Sequence, residues 1–149
     1  MDRWSRVARL GVGCTLLAAL VGVAGCGIRR IPTSGKVTLD GQPMTEGVLQ
    51  FIPDVSKGNN LRVSCSGPIS NGQWNLVTSG VERADTGTGA PVGWFKVRYF
   101  HPNEGSKQPG QSAAPKVAAK YYQEETTPIS IELTEPPPAE GYTIELTSK

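Results

Sequence analysis

Proline and glycine recur through the chain after residue 33, and no segment between them carries apolar residues at helical spacing over an ordinary helix length. Proline removes a backbone donor and fixes φ, while glycine makes ordered backbone entropically costly, so helices are cut short where both are frequent. What fits between such breaks is the short extended strand. Lys36-Val37-Thr38-Leu39 ends at Asp40-Gly41, a strong turn dipeptide. Val48-Leu49-Gln50-Phe51-Ile52 stops at Pro53-Asp54, and Leu61-Arg62-Val63-Ser64-Cys65 alternates as a half-buried strand does. Ile69 to Leu76 reads as a hairpin about Asn71-Gly72, with Trp74 and Leu76 on one face. In Trp94–Phe100, Phe95, Val97 and Tyr99 share one face while Lys96 and Arg98 share the other, as in a sheet solvated on one side. Ile129–Leu133 and Tyr142–Leu146 alternate again, separated by the stiff Pro136-Pro137-Pro138 connector. About seven short strands with turns at intervals predict an all-β sandwich. Thr78–Pro91 and His101–Pro115 read as polar, Gly- and Pro-rich loops, the second of them mobile. Lys116–Tyr122 has room for one helical turn, with its aromatic pair packed on the sandwich rim.

The amino terminus has a different grammar. Arg3, Arg6 and Arg9 precede an uncharged stretch from Leu10 to Gly25, centred on Leu16–Val21. A basic start, a short apolar core and small residues before a break describe a secretory signal. The uncharged run reaches Ile28, which is long enough to raise the rival reading of a permanent span. Four glycines within the signal region, and small residues at its end, make it a poor one. Val23-Ala24-Gly25-Cys26 resembles the bacterial lipobox, in which small residues precede an obligatory cysteine. The resemblance implies cleavage between Gly25 and Cys26 and a diacylglyceryl thioether on the Cys26 thiol. Each buried methylene contributes about 0.8 kcal/mol, so one acyl chain binds marginally and two or three hold firmly. The chain thus divides into a signal peptide over 1–25, a lipidated tether over 26–33 and a β-domain over 34–149. Gly27 stands where an Asp retains many bacterial lipoproteins in the inner membrane, which favours the outer membrane.

Charge and cysteine usage agree with export. Three of 15 basic and one of 13 acidic residues lie in the signal, so the remainder is balanced at 12 of each. Nothing electrostatic recommends a nucleic acid partner. Cys14 leaves with the signal and Cys26 is lipidated, so Cys65 is left without a disulfide partner. Such a domain must hold itself together by its core, and Cys65 reads as a small buried hydrophobe.

Several segments together resemble the carboxypeptidase regulatory-like domains of small bacterial lipoproteins. These are Gly35–Pro43 followed by Val48–Pro53, the Asn71-Gly72-Gln73-Trp74 turn, Ala90–Val97, Ala119-Lys120-Tyr121 and Ile129–Leu133. The resemblance covers roughly residues 34–147. It implies a seven-stranded transthyretin-like, or prealbumin-like, β-sandwich that does no chemistry itself.

No residue pattern contradicts that. His101 is the single histidine, read as an exposed loop residue, with no carboxylates at ligand-like spacing around it. Glu124-Glu125, Asp54 and Asp85 read as solvated loop charges, and Thr86–Ala90 lacks the Lys-Ser/Thr of a phosphate loop. No catalytic, cofactor or metal residues are assigned. The aromatic set Trp94, Phe100, Tyr121 and Tyr122 is the best candidate for ligand contact, although such rings in a small sandwich also serve as packing. The expectation is therefore a non-enzymatic envelope lipoprotein, acting as a structural or interaction module. Its partners are membrane lipid through Cys26 and an envelope protein or glycan. The alternative is a carbohydrate- or peptide-binding module at the cell surface.

Overall fold

The computed structural model describes residues 27–102 and 115–149; the signal region, Cys26 and most of the 101–115 loop lie outside them. The described residues contain no α-helix. They form strands β1 (Ser34–Leu39), β2 (Gln42–Pro43), β3 (Val48–Pro53), β4 (Val63–Ser70), β5 (Gln73–Asn75), β6 (Val77–Gly80), β7 (Gly87–Thr88), β8 (Gly93–Phe100), β9 (Ser130–Leu133) and β10 (Tyr142–Leu146). Single 3-10 turns lie at Val55–Lys57, Arg83–Asp85 and Ala119–Tyr121, the last within the segment expected to hold one helical turn.

The strands make one curled sheet in the order β10-β1-β5-β4-β3-β8-β9, with β2, β6 and β7 attached at its sides. Every pairing is antiparallel except β1 with β10. Strand β4 is the fork. Along one edge it pairs β6 through Val63–Ser66 and then β5 through Ile69 and Ser70. Gly67-Pro68 falls between these partners. A glycine without side-chain packing and a proline without a donor are the residues expected where a ladder bends. The sheet curls there, giving a sandwich-like arrangement with apolar faces turned inward.

That inward face is the core. Leu49 and Phe51 of β3, Phe95, Val97 and Tyr99 of β8, Val37 of β1, Trp74 of β5, and Ile144 and Leu146 of β10 are all buried in one cluster. The Phe51 and Trp74 rings lie 5.2 Å apart, and Phe95 meets Phe51 edge-on at 6.5 Å. The outward residues of β8 do something else: Arg98 Nε donates to Gln50 Oε1 at 2.6 Å, and Gln50 Nε2 donates to Ser64 Oγ at 2.9 Å. The alternation read from the sequence is thus a real division between core and a polar ladder across β8, β3 and β4.

Trp74 is placed by local chemistry. Asn71 and Gly72 adopt φ of 50° and 77°, the double positive value that a two-residue type I′ turn needs. Ile69 consequently pairs with Trp74. The indole Nε1 donates to the Lys36 carbonyl at 3.2 Å, and its ring passes over Gly35. A β-carbon on Gly35 would stand 2.0 Å from the Tyr142 carbonyl oxygen and 2.5 Å from Trp74 Cζ2.

Two expectations need correction. Residues 78–91 are not simply a loop, because β6 and β7 lie within and beside them, and β2 adds a further short strand, so ten strands replace seven. The inward residue of β6 is Thr78, whose hydroxyl donates to the Gly89 carbonyl at 2.6 Å. A buried threonine satisfied by backbone leaves no apolar alternation to read. Residues 27–33, expected as a tether, are laid against the domain: Ile31 pairs with Ala90, and Ile31 and Thr33 are buried.

Register also defines the poles of the sheet. Pro53 pairs with Phe95, Val63 with Gly80 and Gly93 with Leu133. The connections 54–62, 81–86 and 91–92, together with residues 134–135, therefore gather at one end. The amino-terminal segment is fastened there. Ile28 N donates to Asp85 Oδ1, Arg30 donates to the Ala84 carbonyl, and Arg29 pairs with Glu135.

Gly35→Ala forces a methyl group into backbone that a rigid ladder holds in place, and overpacking of this kind costs about 1–3 kcal/mol or more. The expected outcome is a lower midpoint of urea unfolding with an unchanged slope, followed by far-UV circular dichroism.

Candidate functional site

The groove at the amino-terminal pole is built around Trp94, the second residue of β8. The loop that supplies one wall starts at Asp54, which follows β3 directly. Asp54 Oδ1 accepts from the Ser56 amide at 3.1 Å and from the Ser56 hydroxyl at 2.5 Å, while Oδ2 accepts from Ser130 Oγ at 3.1 Å. These bonds cap the Val55–Lys57 turn, as a short carboxylate does at a helix start. The Asp54 amide donates to the Trp94 carbonyl at 2.9 Å, and Asn59 Nδ2 donates to the same oxygen at 2.8 Å. Asn59 Oδ1 in turn accepts from the Leu61 amide. The 54–62 loop is thereby fixed to β8, and Lys57 Nζ comes to rest 3.6 Å from the centroid of the Trp94 ring. An ammonium within about 6 Å of an indole face is held by the ring quadrupole.

The resulting groove has a volume of about 530 Å³ and is open to solvent. Its walls come from Ile28, Arg29, Leu61, Val92 and Trp94. Asp54, at the start of the 54–62 loop, is buried and ionised. The Ser56 side-chain hydrogen bond holds its carboxyl below the ordinary value; burial opposes this, and Ser130 and Lys96 assist. With all three of those bonds directed at its own surroundings, Asp54 is a structural anion. The groove can accommodate an apolar or planar group beside a cation; it presents no nucleophile paired with a base.

The other sequence candidates lie elsewhere. Phe100 is exposed at the far end of β8, on the same outward face as Trp94 but roughly 20 Å along the strand at about 3.3 Å per residue. Tyr121 is buried in the core, its hydroxyl 3.3 Å from Thr147 Oγ1. Tyr122 is half-buried and meets the Tyr99 ring edge-on at 5.6 Å. The four rings therefore do not make one platform, and of the set Trp94 alone lines this groove.

His101 is not the exposed loop residue expected from its neighbours: it is 3% exposed. Phe95, Val97, Tyr99 and His101 are all buried, so the inward alternation of β8 runs one step past its last residue. His101 Nε2 stands 3.7 Å from Glu46 Oε1, whose side chain is open to water. Asp54 is likewise not a solvated loop charge, and Asp85 is half-buried against the Ile28 amide. Cys65 is buried with Sγ 3.3 Å from Thr78 Oγ1; burial pushes its thiol up, so it is protonated at neutral pH. Among the described residues no group of three His, Cys, Asp or Glu side chains converges as metal ligands do.

Sequence reasoning found Trp94 and missed Lys57, Asp54 and Asn59. Pro53-Asp54 was legible as a stop, and the Asp-x-Ser spacing that follows is the local signal of a capped turn. No family model matches this chain, and neither a curated protein nor a solved structure does.

Asp54→Asn keeps the shape and removes the charge that the Ser56 and Ser130 hydroxyls solvate. The folded carboxyl titrates below its unfolded value, so its stabilisation is full above about pH 4 and lost as pH falls through the lower folded value. Urea unfolding at neutral pH is expected to show a less stable variant. Across the acid range, its stability should vary less with pH than that of the parent.

Proposed function

We propose that this chain is an exported lipoprotein, anchored to a bacterial envelope membrane through acylated Cys26, whose β-domain acts as a non-catalytic structural or interaction module. The observation that carries the reading is the sequence order at the amino terminus. Arg3, Arg6 and Arg9, an uncharged stretch and Val23-Ala24-Gly25-Cys26 run directly into a segment fastened to an all-β domain. Cleavage before Cys26 would leave a mature chain that begins at the domain itself. Gly27 in place of Asp favours the outer membrane.

We read the domain as a transthyretin-like, carboxypeptidase regulatory-like sandwich. In support, the segments that carry the resemblance fall on β1, β3, the β4–β5 turn, β8, the Ala119–Tyr121 turn and β9. A non-catalytic role is supported by how the titratable groups are used. Asp54 is committed to Ser56 and Ser130, and the carboxylate beside His101 is open to solvent. The alternative reading, a carbohydrate- or peptide-binding module, has the Trp94 groove in its favour and has lost Tyr121 to the core.

Cys26→Ser tests the anchor. In bacteria fed a labelled fatty acid, the parent is expected to carry label, while the variant carries none and accumulates as a full-length precursor on immunoblots. Normal cleavage of the variant would mean a plain secreted protein.

A further inference from the structure

The pole that receives the amino-terminal segment also gathers most of the exposed apolar bulk. Five large hydrophobic residues are exposed among the described residues, and three of them stand here: Val55 at 67%, Val81 at 82% and Val92 at 49%. They belong to three different connections, 54–62, 81–86 and 91–92, which register alone brings to one end. Leu61 lies between them, lining both the Trp94 groove and a second depression shared with Val55 and Val81. Single exposed valines require no explanation, but several from separate loops converging on one surface do.

Two further observations say what covers this surface. The first is where the described chain begins. Gly27 lies against Ala84, on the same connection as Val81: a β-carbon there would stand 3.1 Å from the Ala84 carbonyl oxygen. Cys26 is the residue that precedes it in the sequence. The next residues are tied down by Asp85, Ala84, Glu135 and Ala90, so the segment that follows Cys26 in the sequence is fixed to the pole that bears the valines. The second is the chemistry of the rim. Trp94 with Lys57 over its face is the pairing suited to the headgroup layer, where indoles and snorkelling ammonium groups sit. Arg62 and Arg83 are exposed alongside. Of the acidic groups at this end, Glu135 is paired with Arg29, Asp85 accepts from Ile28 and Asp54 is held by Ser56 and Ser130. Glu124 lines the second depression, and both Glu82 and Glu132, the residue opposite Trp94, are exposed. Charge is therefore mixed, and apolar contact is the larger attraction.

Resting on the lipoprotein reading, we propose that this pole docks directly on the bilayer. Val55, Val81 and Val92 reach the acyl boundary, and Trp94, Lys57 and Arg62 lie among the headgroup phosphates. The Trp94 groove then faces lipid, and the opposite pole, with Phe100, faces away from the membrane.

The test uses the full chain, expressed and processed in bacteria, purified in detergent and reconstituted into phosphatidylcholine–phosphatidylglycerol vesicles. Val81→Cys and Val92→Cys, with Phe100→Cys as the distal control, are labelled with an environment-sensitive dye and quenched by lipids brominated in the acyl chain. All three positions are exposed, so the substitutions do not disturb the core. Quenching several-fold stronger at 81 and 92 than at 100 supports the docking. Equal, weak quenching at all three sites, in protein that floats with vesicles and whose mass shows acyl groups on Cys26, overturns the docking and leaves the anchor standing. Protein with an unmodified Cys26 that fails to float overturns the anchor, and the docking with it.

Discussion

Trp74 fills the space where the curled sheet folds over its own core, and its seat is made entirely by small residues. Asn71-Gly72 supplies the narrow turn that swings it inward, and Gly35 leaves the gap through which its ring reaches the backbone of β1. Its face then supports Phe51, which supports Phe95, so a chain of aromatic contacts crosses from β5 through β3 to β8. The described residues hold one buried thiol and no disulfide, so no covalent cross-link among them backs the core. Apolar burial at roughly 25 cal/mol per Å² is the main favourable term in folding, and here the large rings supply much of that area.

The groove is a by-product of the same register. Because Pro53 opposes Phe95, the loop leaving β3 passes the start of β8, and its polar groups satisfy the Trp94 carbonyl twice over. Asp54 is the residue on which that loop turns. Its charge is kept by hydroxyl and amide donors, which explains how a carboxylate survives burial without a cationic partner in direct contact. Lys57 is left free to lie across the indole.

The parts of the fold that could be read in the sequence are those where side-chain hydrophobicity alternates: β1, β3, β8, β9, β10 and the β4–β5 hairpin. Strands β6 and β7 escaped because Thr78, their buried residue, is polar and bonded to backbone. His101 was hidden by the Pro- and Gly-rich sequence after it, although continuing the period of β8 by one step places it inside. The site was half legible. Trp94 stands out as a large ring at a strand start, but its neighbours Lys57 and Asn59 reach it only through the pairing of β3 with β8. Such non-local register leaves no trace in a local window. Tyr121 and Tyr122 do pack, as a pair in a short turn can, but nothing beside them in the sequence marks Tyr121 as the ring that enters the core.

Strand β10 lies parallel to β1, at one edge of the order β10-β1-β5, and pairs residue 35 with residue 142. Ile144 and Leu146 therefore complete the half of the core that Val37 and Trp74 begin. During synthesis, β1 emerges long before the strand that flanks it. Until the last of these segments is made, β1 has an open ladder on one side and the indole of Trp74 lacks part of its enclosure. Closing so long a loop is slow compared with forming the hairpins between them. The polypeptide consequently remains an incomplete sheet until Tyr142–Leu146 docks on β1, and its final shape is reached only with that last pairing.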